Sequence, residues 1–412
     1  VEGDAPPQAR RFESQGEQWW LGIRPYVLDK RQQLWITILV PNAELLEALT
    51  KQRNVILLAT GAALIAALLY ALMLARAYSR PLEALAQQSR KIRDLDFSAS
   101  APVQANLREI HDLAEAHDQS MKAVESFSRY VPMGVVRDLV DAGEVAQIGG
   151  RTMELSVLFT DIEGFTRISE GMTPEALTAH MAEYFEFMIE ALRESGATVD
   201  KMVGDAIVAF WGAPRPFEDH VQRAVQGVLA CQRLLAEHNP AWVERDLPPL
   251  PTRFGLASGP VVVGNIGSPS RLAYTALGDT MNFASRLEAL NKEYGTYLLA
   301  DASVQSRCAT SHAWRRLDRT VVIGKTEPLW IYELLGEAAS TPSAVVEAAR
   351  AYEAAWDRYA DRDFDGAIRD LDALRAAGEP DSAVVRLRRL AVAYQDAPPP
   401  PDWDGTTRMA HK

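Results

Sequence analysis

The sequence of 412 residues holds only two cysteines, Cys231 and Cys308. They stand far apart with no CxxC spacing, which argues against a metal or redox role and for buried free thiols in a reducing compartment. A basic surplus is missing too. Against 55 Asp and Glu there are 43 Lys and Arg, a formal net charge of -12. A phosphate backbone needs a basic surface, so general nucleic-acid binding is excluded. Wholesale disorder is excluded as well, because 48% hydrophobic and 24% charged residues make an ordinary globular composition. The length exceeds one ordinary domain and predicts two to four units. The chain opens on Val1 with no initiator methionine, and residues 1–54 read as the end of a domain cut from something longer.

Long uncharged runs are also scarce. Val55–Ala75 is 21 residues without a charge, bracketed by Lys51 and Arg53 before and by Arg76 and Arg80 after. At about 1.5 Å per helical residue it spans a hydrocarbon core of about 30 Å. A buried core helix of that length would show a polar face, so a membrane span is expected. Basic residues are denser after the span (Arg76, Arg80, Arg90, Lys91, Arg93), placing the C-terminal side in the cytoplasm of a bacterial inner membrane. Before the span, Trp35–Val40 followed by Pro41 reads as a last strand, and Asn42–Leu49 as a helix entering the membrane. With Trp19, Trp20 and Tyr26 this region resembles the end of a Cache-type extracytoplasmic sensor, with a short structured stalk as the alternative. It would receive a signal of unknown nature.

After the span, Ala77–Arg93 predicts a helix with Pro81 early and Leu82, Leu85 and Ile92 on one stripe. A connector, residues 94–103, follows. Ile110, Leu113, Ala114, His117, Met121 and Val124 then recur at helical spacing. Two parallel helices joined by an extended connector resemble a HAMP signal-transfer module, here residues 76–126, which implies a dimeric four-helix bundle. His117 reads as a tolerated polar core position, with a pH sensor as the alternative.

The segments that carry chemistry lie further on. Val157–Thr166 (VLFTDIEGFT) and Val199–Phe210 (VDKMVGDAIVAF) each place one acid, Asp161 and Asp205, at the end of a run typical of a buried strand. Gly204–Asp205 forms a tight hairpin turn. The turn after Asp161, through Ile162, Phe165 and Thr166, gathers backbone amides suited to phosphate oxygens. Two carboxylates facing each other suit a pair of hard divalent cations, one to acidify an attacking hydroxyl and one to hold a leaving polyphosphate. A lone strand-end Asp is ordinarily a turn cap; two in these surroundings favour the cation clamp. In Tyr274–Glu288 (YTALGDTMNFASRLE), Asn282 and Arg286 share one helix face. Asn can orient a sugar hydroxyl, and Arg can neutralise charge on a pentacoordinate phosphorus.

Around these segments a helix is expected between Thr173 and Ser195 and another from about Asp219 to Asn239. Two strands within Thr252–Gly267, turning at Ser258-Gly259-Pro260, precede a helix over Asp279–Glu293. This order predicts an α+β sheet covered by helices. Ala344–Ala377 and Asp381–Tyr394 predict a helical pair broken at residues 378–380. The pattern Tyr352, Trp356, Tyr359, Phe364, Ala367, Leu371 resembles a single tetratricopeptide-like hairpin, which must dock on its neighbour to bury its faces. The terminal PPPPDWDG stretch reads as an irregular strap or a disordered tail.

FTDIEGFT, DKMVGDAIVAFWG, GPVVVGNIG, YTALGDTMNFASRLE and IGKTEPLWIYEL together resemble the class III nucleotidyl cyclases over Phe127–Leu335, about half the chain. Phe127–Gly150 is similar to the transducer element preceding such domains. The resemblance implies a ferredoxin-like α+β catalytic domain at 151–336; the helical pattern beyond it predicts a small tetratricopeptide-like α-helical hairpin tail at 337–412. It implies Asp161, Asp205 and the carbonyl of Ile162 as ligands of two Mg²⁺ or Mn²⁺ ions. Lys201 falls at the purine-selecting position, where Lys suits adenine and Glu suits guanine. Its partner is Thr275, where many members have Asp, so discrimination against GTP is expected to be weaker. Asn282 and Arg286 take the ribose-orienting and transition-state roles, and Lys325 the terminal phosphates. Asp161 and Asp205 of one subunit would complete a site with Lys201, Thr275, Asn282, Arg286 and Lys325 of the other, implying a homodimer with two sites. The expected reaction is conversion of ATP to 3′,5′-cyclic AMP and pyrophosphate. A guanylate cyclase and a catalytically silent receptor are the alternatives; Lys201 speaks against the first and the complete residue set against the second. No GG[DE]EF-like segment of a diguanylate cyclase is present.

Overall fold

A computed structural model describes residues 8–29, 32–93, 96, 103, 105, 107–128, 130–131, 134–137, 147–321, 328–378 and 381–408. Two compact units emerge, Val1–Lys122 and Ala123–Lys412.

In the first unit β1 (Gln8–Ser14), β2 (Glu17–Asp29) and β3 (Gln32–Pro41) form an antiparallel sheet in that order. Helix α1 (Asn42–Arg93) follows at once, and Trp20 Nε1 donates to Asn42 Oδ1 at 3.0 Å at the junction. The expected helices before and after the apolar run are therefore one continuous helix that passes through Pro81. It is long and apolar enough to cross a membrane, and its apolar window is unburied. Helix α2 (Arg108–Ser128) buries Ile110 and Ala114 of the expected stripe and leaves Leu113 and Val124 exposed. Most of the connector at 94–103 lies outside the described residues, as do 132–133 and 138–146 of the transducer-like stretch.

Among the described residues the second unit is built on a mixed sheet of nine strands, in the order β12 (Thr407–Arg408), β10 (His312–Val321), β11 (Leu329–Glu337), β9 (Leu298–Asp301), β7 (Thr252–Ser268), β4 (Gly149–Ile162), β6 (Ala206–Trp211) and β5 (Thr198–Val203), with β8 (Arg271–Leu277) also paired to β7. Its centre is β4 (Gly149–Ile162), flanked by β6 (Ala206–Trp211) and β7 (Thr252–Ser268). Both faces of β4 are buried, so its apolar residues run almost without interruption. Leu155 and Val157 enter one core, and Leu158 and Ile162 the other. Helices α3 (Phe165–Glu170), α4 (Pro174–Glu194), α5 (His220–Glu244) and α7 (Ala302–Cys308) belong to the second core's side. The first core is closed by α6 (Asp279–Tyr294) and by the C-terminal helices. Helix α4 starts as its sequence signals: Thr173 Oγ1 accepts the amide of Ala176, and Pro174 occupies the first turn. Cys231 and Cys308 are buried free thiols, and burial pushes Cys231 up to about 12.

Three expectations require correction. Thr252–Gly267 does not turn at Ser258-Gly259-Pro260: β7 is one strand of 17 residues, registered on β4 from Thr252 opposite Ile162 to Asn265 opposite Gly149. Proline is tolerated there because β9 (Leu298–Asp301) pairs only with 254–256 and β8 (Arg271–Leu277) only with 262–268, leaving Pro260 paired to β4 alone. The actual hairpin is β7–β8, closing at Ser268 and Arg271. Helix α5 runs past Asn239 and through Pro240 to Glu244. Fully buried Trp242 anchors that extension, with Nε1 donating to Glu183 Oε1 at 2.9 Å.

The C-terminal part is not a hairpin but three helices: α8 (Ser343–Ala360), α9 (Phe364–Ala377) and α10 (Ser382–Asp396). They dock on the sheet edge formed by β10 (His312–Val321) and β11 (Leu329–Glu337). Buried Asp318 on β10 accepts from Tyr294 Oη at 2.6 Å, from Trp356 Nε1 at 3.2 Å and from Arg386 Nη1 at 3.3 Å. Arg386 of α10, the helix expected after residues 378–380, pairs this buried acid; the expected 344–377 helix is instead split into α8 and α9. The proline-rich stretch is a strap: Trp403 packs edge-on to Tyr359 and Tyr394, and Thr407–Arg408 (β12) pairs with β10.

One close approach sets the position of α6. A Cβ on Gly255 of β7 would stand 2.2 Å from both the Ala284 carbonyl oxygen and the Glu288 nitrogen. Backbone atoms of a packed helix cannot yield cheaply, so Gly255→Ala is expected to cost about 2–3 kcal/mol. Thermal unfolding followed by tryptophan fluorescence should show a midpoint lower by roughly 5 °C or more; an unchanged midpoint contradicts this packing.

Candidate functional site

Two clusters form at neighbouring points of the sheet. The first sits where β4 ends. The β5 (Thr198–Val203)–β6 hairpin closes through the pair Val203–Ala206, with Gly204 at a φ of 65°. That positive φ suits glycine, and the turn delivers Asp205 to the end of β4. There Asp205 Oδ2 accepts the amide of Ile162 at 3.0 Å. Burial, then the Asp205 charge, pushes Asp161 above the usual carboxylate range, while Arg253 pulls it down.

Arg253 is largely buried. The β4–β7 register sets it opposite Asp161, with Nη1 4.0 Å from Asp161 Oδ2 and Nη2 bonded to Glu163 Oε1. Tyr297 Oη donates to Glu163 Oε2 at 3.1 Å. Glu288 of α6 is pushed up to about 7, chiefly by burial and then by the Asp161 charge, with Arg253 opposing. Sequence reasoning missed Arg253 and Glu288, because only the strand register and the Gly255 contact carry them to Asp161. Phe165 is half-buried and Thr166 exposed at the start of α3, behind Gly164 at a φ of 72°.

Asp161 and Asp205 suit a hard divalent cation. Two crowded carboxylates, one of them 40% exposed, offer oxygen donors and gain from a positive charge between them. Among the described residues no group of three or more His, Cys, Asp or Glu is placed to hold a metal ion, so main-chain oxygen and a ligand would complete the coordination.

The second cluster joins β5 to β8. Lys201 Nζ donates to Thr275 Oγ1 at 3.2 Å, and Thr275 Oγ1 donates to Asp200 Oδ2 at 2.8 Å. Lys201 is exposed and Thr275 buried. Burial raises Asp200, opposed by Thr275 and Lys201. Asp200 was also missed, although an acid inside an apolar strand run is a readable signal.

Asn282 and Arg286 share a face of α6, exposed and half-buried respectively. Ala284, Leu287 and Asn291 of that helix are fully buried. At about 100° per residue, Asn282 and Arg286 point away from the sheet that holds Asp161 and Asp205 in the same chain. No hydrogen bond or ion pair links them to either cluster among the described residues. Lys325 lies outside the described residues.

Residues 149–330 match the family model for the adenylate and guanylate cyclase catalytic domain. The chain carries a class III nucleotidyl cyclase domain. Adenylate cyclase 1 of Rhizobium meliloti (strain 1021) is 36% identical over 301 residues, covering 73% of this chain and 45% of that protein. The adenylate cyclase of Anabaena cylindrica is 31% identical over 288 residues, 64% of this chain and 56% of that protein. The chain therefore spans about half the length of these curated relatives. A bacterial light-regulated adenylyl cyclase of known structure shares the fold, with a TM-score of 0.50 and 23% identity over 56% of this chain and 66% of that one.

The cyclase domain's carboxyl cluster has a pH signature of its own. A carboxyl whose folded pKa lies above its unfolded value contributes stability that is present in acid and lost as pH rises through the folded value. For Glu288 that window runs from 4.5 to about 7. Glu288→Gln, measured in chelator, is expected to raise the unfolding midpoint more at pH 8 than at pH 5. An equal change at both pH values would show that the Glu288 charge is not strained.

Proposed function

We propose that this chain is an adenylate cyclase that converts ATP to 3′,5′-cyclic AMP and pyrophosphate at sites shared between two copies. The observation that carries the choice of base is the Lys201–Thr275 pair, 3.2 Å apart. Lys201 donates to adenine N1, and the Thr275 hydroxyl accepts from the exocyclic amino group. A guanine would set its N1–H against the ammonium.

Asp161, Asp205 and the Ile162 carbonyl would hold two Mg²⁺ or Mn²⁺ ions, which when bound acidify the 3′-hydroxyl and neutralise the polyphosphate. The backbone turn at Phe165 and Thr166 receives phosphate oxygens. Asn282 orients the ribose so that its 3′-oxygen lines up with the α-phosphorus. Arg286 stabilises charge on that phosphorus as the bond to pyrophosphate breaks. Lys325 is assigned to the terminal phosphates. No dedicated side-chain base is required, since the proton can leave to solvent or substrate phosphate.

Two copies are invoked because α6 turns Asn282 and Arg286 away from their own Asp161 and Asp205. A second chain facing that surface would supply the missing carboxylates. Helix α1 supports a membrane anchor, with residues 1–54 as the end of an extracytoplasmic sensor, 55–75 crossing the bilayer and the catalytic part in the cytoplasm of a bacterial cell. Residues 76–126 act as a HAMP-type relay and 127–150 as a transducer. A shift of these helices would alter the spacing of the two half-sites, and an error of about 1 Å can cost roughly 100-fold in rate.

Asp205→Ala and Arg286→Ala chains should each lose at least about 100-fold in cyclic AMP formation. Mixed in equal amounts, they should recover about a quarter of the wild-type rate, because half the dimers hold one intact site. No recovery on mixing would refute the shared site, and dominant GTP turnover by the wild type would refute the choice of ATP.

A further inference from the structure

We propose that Asp200 is a specificity-determining positioning residue: its carboxylate accepts the hydrogen bond of the Thr275 hydroxyl and so turns that hydroxyl into an obligate acceptor toward the purine. This rests on the adenine reading above and adds to it a residue that never touches the base.

The geometry begins with the backbone. Between Val199 and Lys201 the β5–β6 register shifts: Val199 pairs with Ala209 and Lys201 with Val208. Asp200 is the extra residue of a β-bulge. In a regular strand, neighbours point to opposite faces, and one Thr could not meet both Asp200 and Lys201. The bulge re-aims one of them, and both side chains reach Thr275 on β8, at 2.8 Å and 3.2 Å.

Counting donors and acceptors then gives the direction of every bond. A carboxylate offers only acceptors, and an ammonium only donors. The single hydroxyl proton of Thr275 is directed at Asp200 Oδ2, and one lone pair receives Lys201. The lone pair that remains can only accept. Adenine's amino group satisfies it, whereas guanine O6 would meet another acceptor. Lys201 is held from the same side, 3.4 Å from Asp200 Oδ2, which keeps its ammonium beside the base edge. The Asp200 side chain is 3% exposed, so water does not readily replace it. Without Asp200, the hydroxyl is free to rotate and donate to O6.

The test uses the full chain in detergent with Mn²⁺, measuring kcat/KM for ATP and for GTP on one preparation, so that the folded fraction cancels in their ratio. Asp200→Ala is expected to raise the GTP-to-ATP ratio by about 10-fold or more. Asp200→Leu, which fills the buried volume without an acceptor, should do the same. In a Thr275→Val background there is no hydroxyl to aim, and Asp200→Ala should leave the ratio within about twofold. Equal loss on both substrates, or a shift that persists in the Thr275→Val background, overturns the role of Asp200. If the wild type itself prefers GTP, the adenine reading falls and this inference with it. An ATP-selective wild type whose Asp200 variants keep its ratio sinks this inference alone.

Discussion

The amide of Ile162 donating to the carboxylate of Asp205 is the bond on which the candidate site depends. It ties the tip of the β5–β6 hairpin to the end of β4, and it holds two acids close despite their mutual repulsion. Several features serve that bond. Gly204 closes the turn at positive φ, and β6 runs beside β4 through four registered pairs, from Ser156–Trp211 to Phe159–Val208. Arg253, delivered by β7 on the other flank, offsets part of the negative charge. The central strand thus has a different neighbour on each side, and both neighbours bring site chemistry to the same end.

Helix α6 adds a second constraint, because it cannot serve the carboxylates of its own chain with all of its side chains. Gly255 lets its backbone rest on the sheet, and Glu288 faces the acid cluster. Asn282 and Arg286 are thereby turned outward. On the proposed reading that outward face is a half-site awaiting another copy, and any device that moves two copies apart also uncouples the chemistry. The long α1 helix and the amphipathic α2 stand at the appropriate place in the chain for such control. The C-terminal helices bear on the same helix from the other end, since Arg386 and Tyr294 meet at the buried Asp318.

What was legible in the sequence was whatever local pattern alone determines. The β4 run, the Gly204–Asp205 turn and the helix between Thr173 and Ser195 follow from burial, glycine and helical spacing, and each stands where expected. Pro260 misled because its missing N–H would not have been used, and Pro240 because a packing contact beyond it outweighs the helix hydrogen bond it removes. In β7 the second edge is unpaired at that point, and in α5 Trp242 pulls the helix onward. The break inside the expected 344–377 helix was missed: α8 ends at Ala360, and α9 starts at Phe364 behind Asp363, which accepts the amide of Gly366. The helix after residues 378–380 was legible, but its pairing of Arg386 with Asp318, 68 positions away, was not. Arg253 and Glu288 were invisible for the same reason: strand register and helix docking, not spacing, bring them to Asp161. Asp200 sat in plain view beside Lys201, but without the bulge a strand would have sent it to the opposite face.

The central claim is that one pocket is made by two chains. A structure of the full chain with a non-hydrolysable ATP analogue and Mn²⁺, with the metals located by anomalous scattering, tests it most directly. The account predicts manganese between Asp161 and Asp205 of one protomer, and adenine against Lys201 and Thr275 of its partner. An adenine held by Lys201 of the same protomer that supplies the carboxylates, or manganese bound away from that pair, would contradict it.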